Sequence, residues 1–235
     1  MKKLSGLIIA LMLYTGIYAQ QVNDPNAEKR DAKNFHGISV SSAFDVYITQ
    51  GAEEAVAVSA SETKYKDRIE VEVRDGILYI NFDNKGMWST GNKKLKAYIS
   101  FKEIDKLNIS GACDVFISGT LKADDLTIKL SGASDLKGKL DSKKLTIDLN
   151  GASDMTVTGS TDQLSVEASG ASDFKGFDFI TDYCDAHATG ASDIKITVNK
   201  ELSAHATGAS DVHYKGDAVI RDLKTSGASS VSRRS

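Results

Sequence analysis

Hydrophobic and polar residues alternate along most of the chain, and the alternation restarts at a short turn that recurs at nearly constant spacing. Apolar residues occupy every second position before the turn: Leu126, Ile128 and Leu130; Leu145, Ile147 and Leu149; Leu164, Val166 and Ala168. One more follows each turn: Val115, Leu136, Met155, Phe174, Ile194, Val212 and Val231. A period of two is typical of strands with one buried face, so the pattern predicts inward-facing strands on both sides of each turn.

The turn has the sequence Gly-Ala-Ser-Asp or a close variant, and its glycines are Gly111, Gly132, Gly151, Gly170, Gly190, Gly208 and Gly227. They are 18 to 21 residues apart. Because a repeat of this length cannot bury its apolar face alone, successive repeats must stack. We therefore predict an all-β protein, a single-stranded parallel β-helix whose coils lie about 4.8 Å apart. The glycine allows a positive φ at the corner, and the small alanine is expected to press inward.

The region before the repeats is less periodic but also rich in β-strand patterns. The strand candidates are residues 44–50, 55–60, 69–74, 77–82 and 95–101. Residues 42–46, Ser-Ala-Phe-Asp-Val, resemble a degenerate first copy of the corner. An uncapped coil would expose an apolar end and a free strand edge. We therefore predict an N-terminal β section at residues 35–101 that caps a β-helix at residues 102–235.

The first residues have the parts of a secretory signal peptide. Lys2 and Lys3 precede an apolar run over residues 4–18, and Ala19 supplies a small residue for cleavage. We predict a signal peptide at 1–19 and a polar leader at 20–34. No cysteine lies near the cleavage point, and no later apolar stretch reaches about 18 residues. The expected product is exported to the periplasm, the outer surface or the medium, without a lipid anchor or a transmembrane span.

Charge and cysteine content narrow the chemistry further. The net charge is -3, with lysines interspersed among the acids, which gives no basic patch for nucleic acid. Cys113 and Cys184 lie four repeats apart, which is about 19 Å along the axis of the stack. A disulfide requires Cα atoms within about 7 Å. We therefore predict two reduced thiols in structural positions, and no cofactor.

Several features together resemble one known family. These are residues 44–51 (Phe-Asp-Val-Tyr-Ile-Thr-Gln-Gly), residues 75–80 (Asp-Gly-Ile-Leu-Tyr-Ile) and the repeated Ser-Gly-Ala corners followed by aspartate. From about Phe35 onward the chain is similar to the putative auto-transporter adhesin family, head GIN domain. The resemblance implies a right-handed, pectin-lyase-like β-helix in secreted or surface proteins of Bacteroidetes-type bacteria, with an adhesive role.

The corner aspartates are expected to stack in one ladder, where like charges one strand spacing apart repel. One interpretation is a row of Ca²⁺ ions, with candidate ligands Asp135, Asp154, Asp173, Asp193 and Asp211. The other is that each carboxylate accepts backbone N–H bonds of its own corner, which explains a lone aspartate at a tight turn. In that case a basic stripe two residues on offsets the charge: Lys137, Lys175, Lys195 and His213.

A second cluster is predicted three residues before the corner glycine in successive coils, at Glu167, His187 and His205. These side chains could bind Zn²⁺ at the surface. The alternative is an exposed ladder with a Glu-His contact, which fits better because structural zinc sites have four well-placed ligands.

Parallel β-helices also include polysaccharide lyases and hydrolases, whose grooves carry clustered acidic and basic residues. In this sequence the prominent aspartates belong to the repeat, and no central coil contains a unique acidic pair or an arginine. We therefore predict a non-catalytic surface protein that binds glycans or proteins through rigid ladders of side chains. A carbohydrate-active enzyme and a Ca²⁺-stabilised envelope scaffold are the alternatives.

Overall fold

The computed structural model describes residues 24–86 and 93–235, so the predicted signal peptide lies outside the described residues. These residues form one short helix, α1 (Thr63–Lys66), and the following strands: β1 (Glu28–Arg30), β2 (Gly37–Val40), β3 (Phe44–Gln50), β4 (Ala55–Ser59), β5 (Ile69–Arg74), β6 (Ile77–Phe82), β7 (Leu95–Phe101), β8 (Lys106–Ile109), β9 (Asp114–Leu130), β10 (Asp135–Leu149), β11 (Asp154–Ala168), β12 (Asp173–Gly190), β13 (Asp193–Gly208), β14 (Asp211–Lys215), β15 (Val219–Gly227) and β16 (Ser230–Arg233). No helix in this part of the chain is long and apolar enough to cross a membrane.

The C-terminal region is a parallel β-helix in which each long strand makes nearly a complete coil. Strands β9 to β13 pair in parallel with their neighbours in the chain, and Asp135 lies opposite both Asp114 and Asp154. The same register continues to Asp211 on β14. In the last coil β15 pairs with β13 and β16 pairs with β14. The predicted all-β solenoid of stacked corners is therefore confirmed.

Apolar side chains fill the inside of the coils because the sequence alternates with the pleat. Ile147, Val166, Ala186 and Ala204 lie in register on four successive strands, and each is at most 1% exposed. Burial of apolar surface contributes about 25 cal/mol per Å². Each coil thus depends on its neighbours for most of its stability.

Glycine sets how closely the corners stack. Gly151 has a φ of 85°, and a Cβ added there would lie 2.5 Å from the carbonyl oxygen of Gly132 in the preceding coil. That oxygen accepts a 2.8 Å hydrogen bond from the backbone N–H of Ala152. A residue with a Cβ would separate the two coils and lengthen this bond.

The predicted inward position of the corner alanine is wrong, because the alanines are exposed and the serines after them, from Ser134 to Ser210, are fully buried. Ser153 shows the reason. Its hydroxyl donates to the carbonyl oxygen of Asn150 at 3.0 Å, and its backbone N–H donates to Ser172 Oγ in the next coil at 3.2 Å. An alanine methyl would leave these buried polar groups without partners.

The N-terminal section continues the same sheet. β3 lies between β7 and β9 in parallel, with Asp45 opposite Asp114. Ser42 takes the place of the corner glycine, with a φ of 97°, and its carbonyl oxygen accepts the N–H of Ala112 at 2.7 Å. This geometry confirms residues 42–46 as a copy of the corner.

Further strands complete this end of the molecule. β2 pairs in parallel with β6 and β8. The antiparallel strands β4 and β5 extend the sheet beyond β7 and β6, and β1 adds to β4. Residues 28–30 of the predicted polar leader are thus an ordered edge strand, in which β1 pairs with residues 56–58.

Candidate binding groove and outward ladders

The outward side chains of the coils form ladders because the strands are in register. One ladder contains Lys144, Gln163, Tyr183 and Glu201. The ladder two positions further along the same strands contains Thr146, Ser165, Asp185 and Ser203. Inward-facing residues, including Leu164 and Cys184, separate the two ladders.

A groove of about 400 Å³ lies between these ladders and reaches Arg221 on β15. Leu164 and Cys184 contribute to its lining, and they are 3% and 6% exposed. Tyr183 also lines the groove, and it is 42% exposed. The groove therefore combines an accessible aromatic ring with polar side chains that a hydrogen-bonded sheet holds at fixed spacing.

Local contacts fix the orientation of Tyr183. The pairing of β12 with β13 shifts register between Thr181 and Tyr183, so the regular ladder is interrupted there. The ammonium of Lys200 lies 5.5 Å from the centroid of the Tyr183 ring and 2.7 Å from Asp182 Oδ2. A cation held over a ring by an ion pair restricts the rotamers of that ring.

Three charged groups of the groove, Arg221, Glu201 and Asp185, are paired, which gives them fixed directions for hydrogen bonding. Arg221 contacts Glu201 Oε1 at 2.5 Å, and this hydrogen bond lowers the pKa of the Glu201 carboxyl. His187 Nε2 lies 2.9 Å from Asp185 Oδ1. Glu201 therefore stays an anionic acceptor at neutral pH. A groove with these groups can bind a neutral polar molecule that has one apolar face.

Several other surface aromatic residues also have a ring or a cation against one face, as Tyr183 has Lys200. Tyr47 stacks between Tyr98 and Phe116, with 5.3 Å between ring centroids on both sides. Arg74 lies 4.4 Å from the centroid of the Tyr79 ring. Lys215 lies 5.1 Å from the centroid of the Phe177 ring on β12. Among the aromatic residues that the structure describes, Tyr183 is the most exposed.

The predicted aspartate ladder is in register, and lysines offset its charge. Lys175 Nζ lies 2.6 Å from Asp154 Oδ2 and 3.4 Å from Asp173 Oδ2. The hydrogen bond to Asp154 raises the pKa of Lys175. Lys195 lies in register with Lys175 and 3.9 Å from Asp193 Oδ2. The predicted basic stripe is therefore a continuous stack from Lys175 to His213, whereas Thr156 separates Lys137 from it.

The carboxylates do not depend on their own corners as predicted. The corner N–H groups bond to adjacent coils instead, as Asp154 N does to the carbonyl oxygen of Ser134 at 3.1 Å and Ser153 N does to Ser172 Oγ. Asp211 accepts hydrogen bonds from the N–H and hydroxyl of Ser230 in the next coil, at 3.0 and 2.6 Å, which lower its pKa. Within residues 24–86 and 93–235, no three metal-binding side chains are grouped for an ion.

Glu167, His187 and His205 lie in register as predicted. The two imidazole rings meet edge to face with their centroids 4.7 Å apart. His187 is bonded to Asp185, and His205 Nε2 lies 2.9 Å from Asp222 Oδ2. Each histidine thus contacts a carboxylate of the neighbouring ladder, which holds both Asp185 and Asp222. Glu167 and the two histidines form a polar column in register.

Cys113 and Cys184 are free and buried. Burial raises the pKa of both thiols. Because the thiolate is the reactive form, neither cysteine is suited to act as a nucleophile.

Reasoning from the sequence missed Tyr183. Its signal was present, since it stands at an outward position of a ladder whose other members are Lys144, Gln163 and Glu201. A comparison of equivalent outward positions across the coils would have marked it as the one large aromatic side chain in that column. The groove itself was not foreseeable, because side chains of five strands line it and the repeat does not specify their directions.

No curated protein matches this chain. Solved structures with the same fold include a putative adhesin from Bacteroides fragilis, with a TM-score of 0.80 at 21% identity, covering 88% of this chain and 96% of that one. A putative lipid binding protein from Parabacteroides distasonis has a TM-score of 0.68 at 20% identity, with coverage of 89% and 97%. A putative adhesin from Parabacteroides merdae has a TM-score of 0.63 at 16% identity, with coverage of 89% and 95%.

These structures share the solenoid architecture at low identity, so they show the fold. A family model gives the further information, because it matches residues 34–218 of the sequence. That match contains the corners from Ser42 to Gly208, the groove tyrosine and the capping strands. The chain belongs to the putative auto-transporter adhesin family, head GIN domain.

Proposed function

We propose that this chain is an exported, non-catalytic, adhesin-like protein that binds glycans in the groove around Tyr183. The observation that carries the proposal is the exposed Tyr183 ring beside Gln163, Asp185 and Arg221 on one rigid face. A sugar ring has a flat face of C–H groups and a rim of hydroxyls. An amphipathic aromatic side chain with fixed donors and acceptors around it complements both parts.

The architecture supports weak, repeated contacts. The groove crosses several strands, and its polar groups are spaced by about 4.8 Å along the axis. A polymer laid along the axis would meet one side chain of each ladder in every coil. Linked weak contacts of this kind raise overall affinity without a deep pocket.

The charge state of the groove supports binding rather than hydrolysis. A glycosidase needs one carboxylic acid whose pKa is raised so that it can protonate the leaving group. Arg221 lowers the pKa of Glu201 instead, which favours the carboxylate at neutral pH. The adhesin names of the family and of two of the structural relatives are consistent with a non-catalytic role.

Export follows from the predicted signal peptide at residues 1–19. We expect the mature chain to begin at Gln20 and to be found in the periplasm, at the surface or in the medium. Mass spectrometry of the protein from fractionated cells identifies both its first residue and its compartment. Retention of residues 1–19 on a cytoplasmic protein would contradict this part of the proposal.

Lipid binding, the activity in the name of the Parabacteroides distasonis relative, is less well supported by this geometry. The coils that the structure describes are filled by side chains such as Ile147 and Phe174, which are at most 1% exposed. An acyl chain would therefore have to lie on the surface. Flotation with liposomes is the arm of the experiment that tests this ligand class.

The central experiment is an array of host, mucin-type and microbial glycans probed with residues 20–235. Tyr183→Ala removes the groove ring, and Phe177→Ala is the matched control, since Phe177 is an outward aromatic of the same strand that also has a lysine over its ring but does not line the groove. We expect retention of defined glycans by the wild type and by Phe177→Ala, and loss with Tyr183→Ala. If Tyr183→Ala still binds the same glycans, the binding site lies outside the groove. Binding of the wild type to none of the glycans would overturn the proposal.

A further inference from the structure

The last coil presents a strand with one free edge. β15 pairs in parallel with β13, and none of the described strands pairs with its opposite edge. Leu223 lies opposite the buried Ala204 in this register, yet it is 46% exposed because no later coil among the described residues covers it. Free edges with apolar side chains are sites where another strand can add.

The charges around Leu223 are arranged so that β15 is complementary to itself. Asp222 and Lys224 flank Leu223 and are 2.6 Å apart as an ion pair within one copy, yet their side chains stay 43% and 66% exposed and can also face a second copy. If a second β15 ran antiparallel to the first with Leu223 opposite Leu223, each Asp222 would face a Lys224 of the other copy. Opposite charges at directly paired positions stabilise an antiparallel ladder, and like charges destabilise it.

The other end of the solenoid is a poorer match for β15. Its edge strand β5 presents Glu70 and Glu72, both exposed, and one exposed base, Arg74, which is paired with Glu72 at 3.2 Å. Stacking of copies head to tail would place this acidic pair against Asp222 as well as Lys224. A head-to-tail contact would also repeat without closing, whereas the two-fold contact closes after two copies.

We propose that β15 is the interface of a symmetric dimer, in which the β15 strands of two copies pair antiparallel about Leu223. The two-fold axis of such a pair is perpendicular to the sheet, so the outward faces of both copies point to the same side. The groove reaches Arg221 on β15, so the dimer brings two grooves next to each other. This consequence for avidity rests on the proposed function, whereas the interface itself does not.

Charge exchange tests the pairing directly. In the dimer, Asp222→Lys puts lysines opposite each other, and Lys224→Asp puts aspartates opposite each other. The double variant Asp222→Lys with Lys224→Asp restores an opposite charge at each pair. Sedimentation equilibrium of residues 20–235 over a range of concentrations is expected to give a dimer for the wild type, a dissociation constant raised about tenfold or more in each single variant, and recovery in the double variant.

A cross-link gives a second and independent readout. Directly opposite residues of an antiparallel pair have Cβ atoms about 4.5–5.5 Å apart, so Leu223→Cys is expected to form a covalent dimer under mild oxidation. Thr225→Cys is the matched control, because position 225 faces Arg221 of the second copy. The native cysteines are buried and do not compete. Circular dichroism shows whether each variant keeps the solenoid.

A wild type that is monomeric at every concentration would overturn the proposal. If both single variants dimerise as tightly as the wild type, the interface lies on another surface. The same conclusion follows if the double variant does not recover the affinity that the single variants lose. These readouts need no ligand. A dimer that binds no glycan would therefore contradict the proposed function and leave the interface supported, whereas a monomer that binds glycans would contradict the interface alone.

Discussion

The backbone N–H of Ser172 donates a hydrogen bond of 3.4 Å to Oγ of Ser192 in the next coil. Ser192 in turn donates to the carbonyl oxygen of Thr189 at 2.9 Å, and both serines are fully buried. A column of polar contacts therefore runs inside the apolar interior and joins successive corners. It explains why serine, and not only glycine, recurs in the repeat.

Replacement of this serine should destabilise the solenoid. Ser192→Ala leaves the buried N–H of Ser172 without its acceptor, and an unsatisfied buried group costs about 1–3 kcal/mol in the free energy of unfolding. Ala191→Ser is the control, because Ala191 is exposed and a surface change is worth less than about 0.5 kcal/mol. Urea denaturation followed by circular dichroism measures both, and equal effects would contradict the role of the serine column.

The corner glycine Gly151 should tolerate substitution less well than Gly119, a glycine of positive φ outside the corners. Gly151→Ala and Gly119→Ala both force a Cβ into the left-handed region, with φ of 85° and 78°, at a cost of about 1–2 kcal/mol. Only at Gly151 would the Cβ also meet a backbone oxygen, since no atom lies within 4 Å at Gly119. We expect Gly151→Ala to cost at least about 1 kcal/mol more. Similar melting temperatures for the two variants would show that close stacking at the corner is not the constraint.

Calcium should not stabilise the protein through the aspartate ladder. The ammonium of Lys175 already contacts both Asp154 and Asp173, so the position between these two carboxylates is occupied by a cation. We expect the melting temperature to be the same in EDTA and in millimolar Ca²⁺. A rise of several degrees with Ca²⁺ would support the scaffold alternative, and its loss in Asp154→Asn with Asp173→Asn would assign the ion to this ladder.

Tyr98 should give the N-terminal section a dependence on alkaline pH. Burial and the 2.8 Å hydrogen bond from its hydroxyl to Asp24 raise the pKa of Tyr98 above its ordinary value of 10.0. A raised pKa in the folded state means that this stabilisation is complete below about pH 10 and is lost as the pH rises further. The stability of the wild type should therefore exceed that of Tyr98→Phe at pH 8, with a gap that narrows above about pH 10.

Thermal denaturation of the two proteins at matched pH values measures this gap. The two proteins differ at this one position, so contributions from the rest of the chain cancel in the difference. A gap that stays constant up to pH 11 would show that the hydroxyl of Tyr98 does not donate to Asp24 in solution.

The parts of the fold that repeat were predictable, because stacking turns one local pattern into a global register. The alternation that ends in Leu149 and the turn that begins at Gly151 suffice to predict the strands and the corner. The inward serine was missed because size alone favours alanine for a tight corner, whereas the hydrogen bonds that decide the matter join residues 18 to 21 positions apart.

The candidate site could be predicted only in part. Register alone places Glu167 next to His187, and it also places Tyr183 between Gln163 and Glu201. The partners of these side chains come from other ladders, as Asp222 does for His205. Such contacts depend on side-chain direction and on local shifts in pairing, and the repeat does not encode either.

The most direct measurement of the central claim is titration calorimetry of residues 20–235 with the glycan that gives the strongest array signal. We expect Tyr183→Ala to weaken binding about tenfold or more, because it removes the aromatic surface at the middle of the contact. Tyr183→Phe keeps the ring and should bind within about threefold of the wild type, and Phe177→Ala should bind as the wild type does. Equal affinity of Tyr183→Ala and the wild type for that glycan would contradict the account.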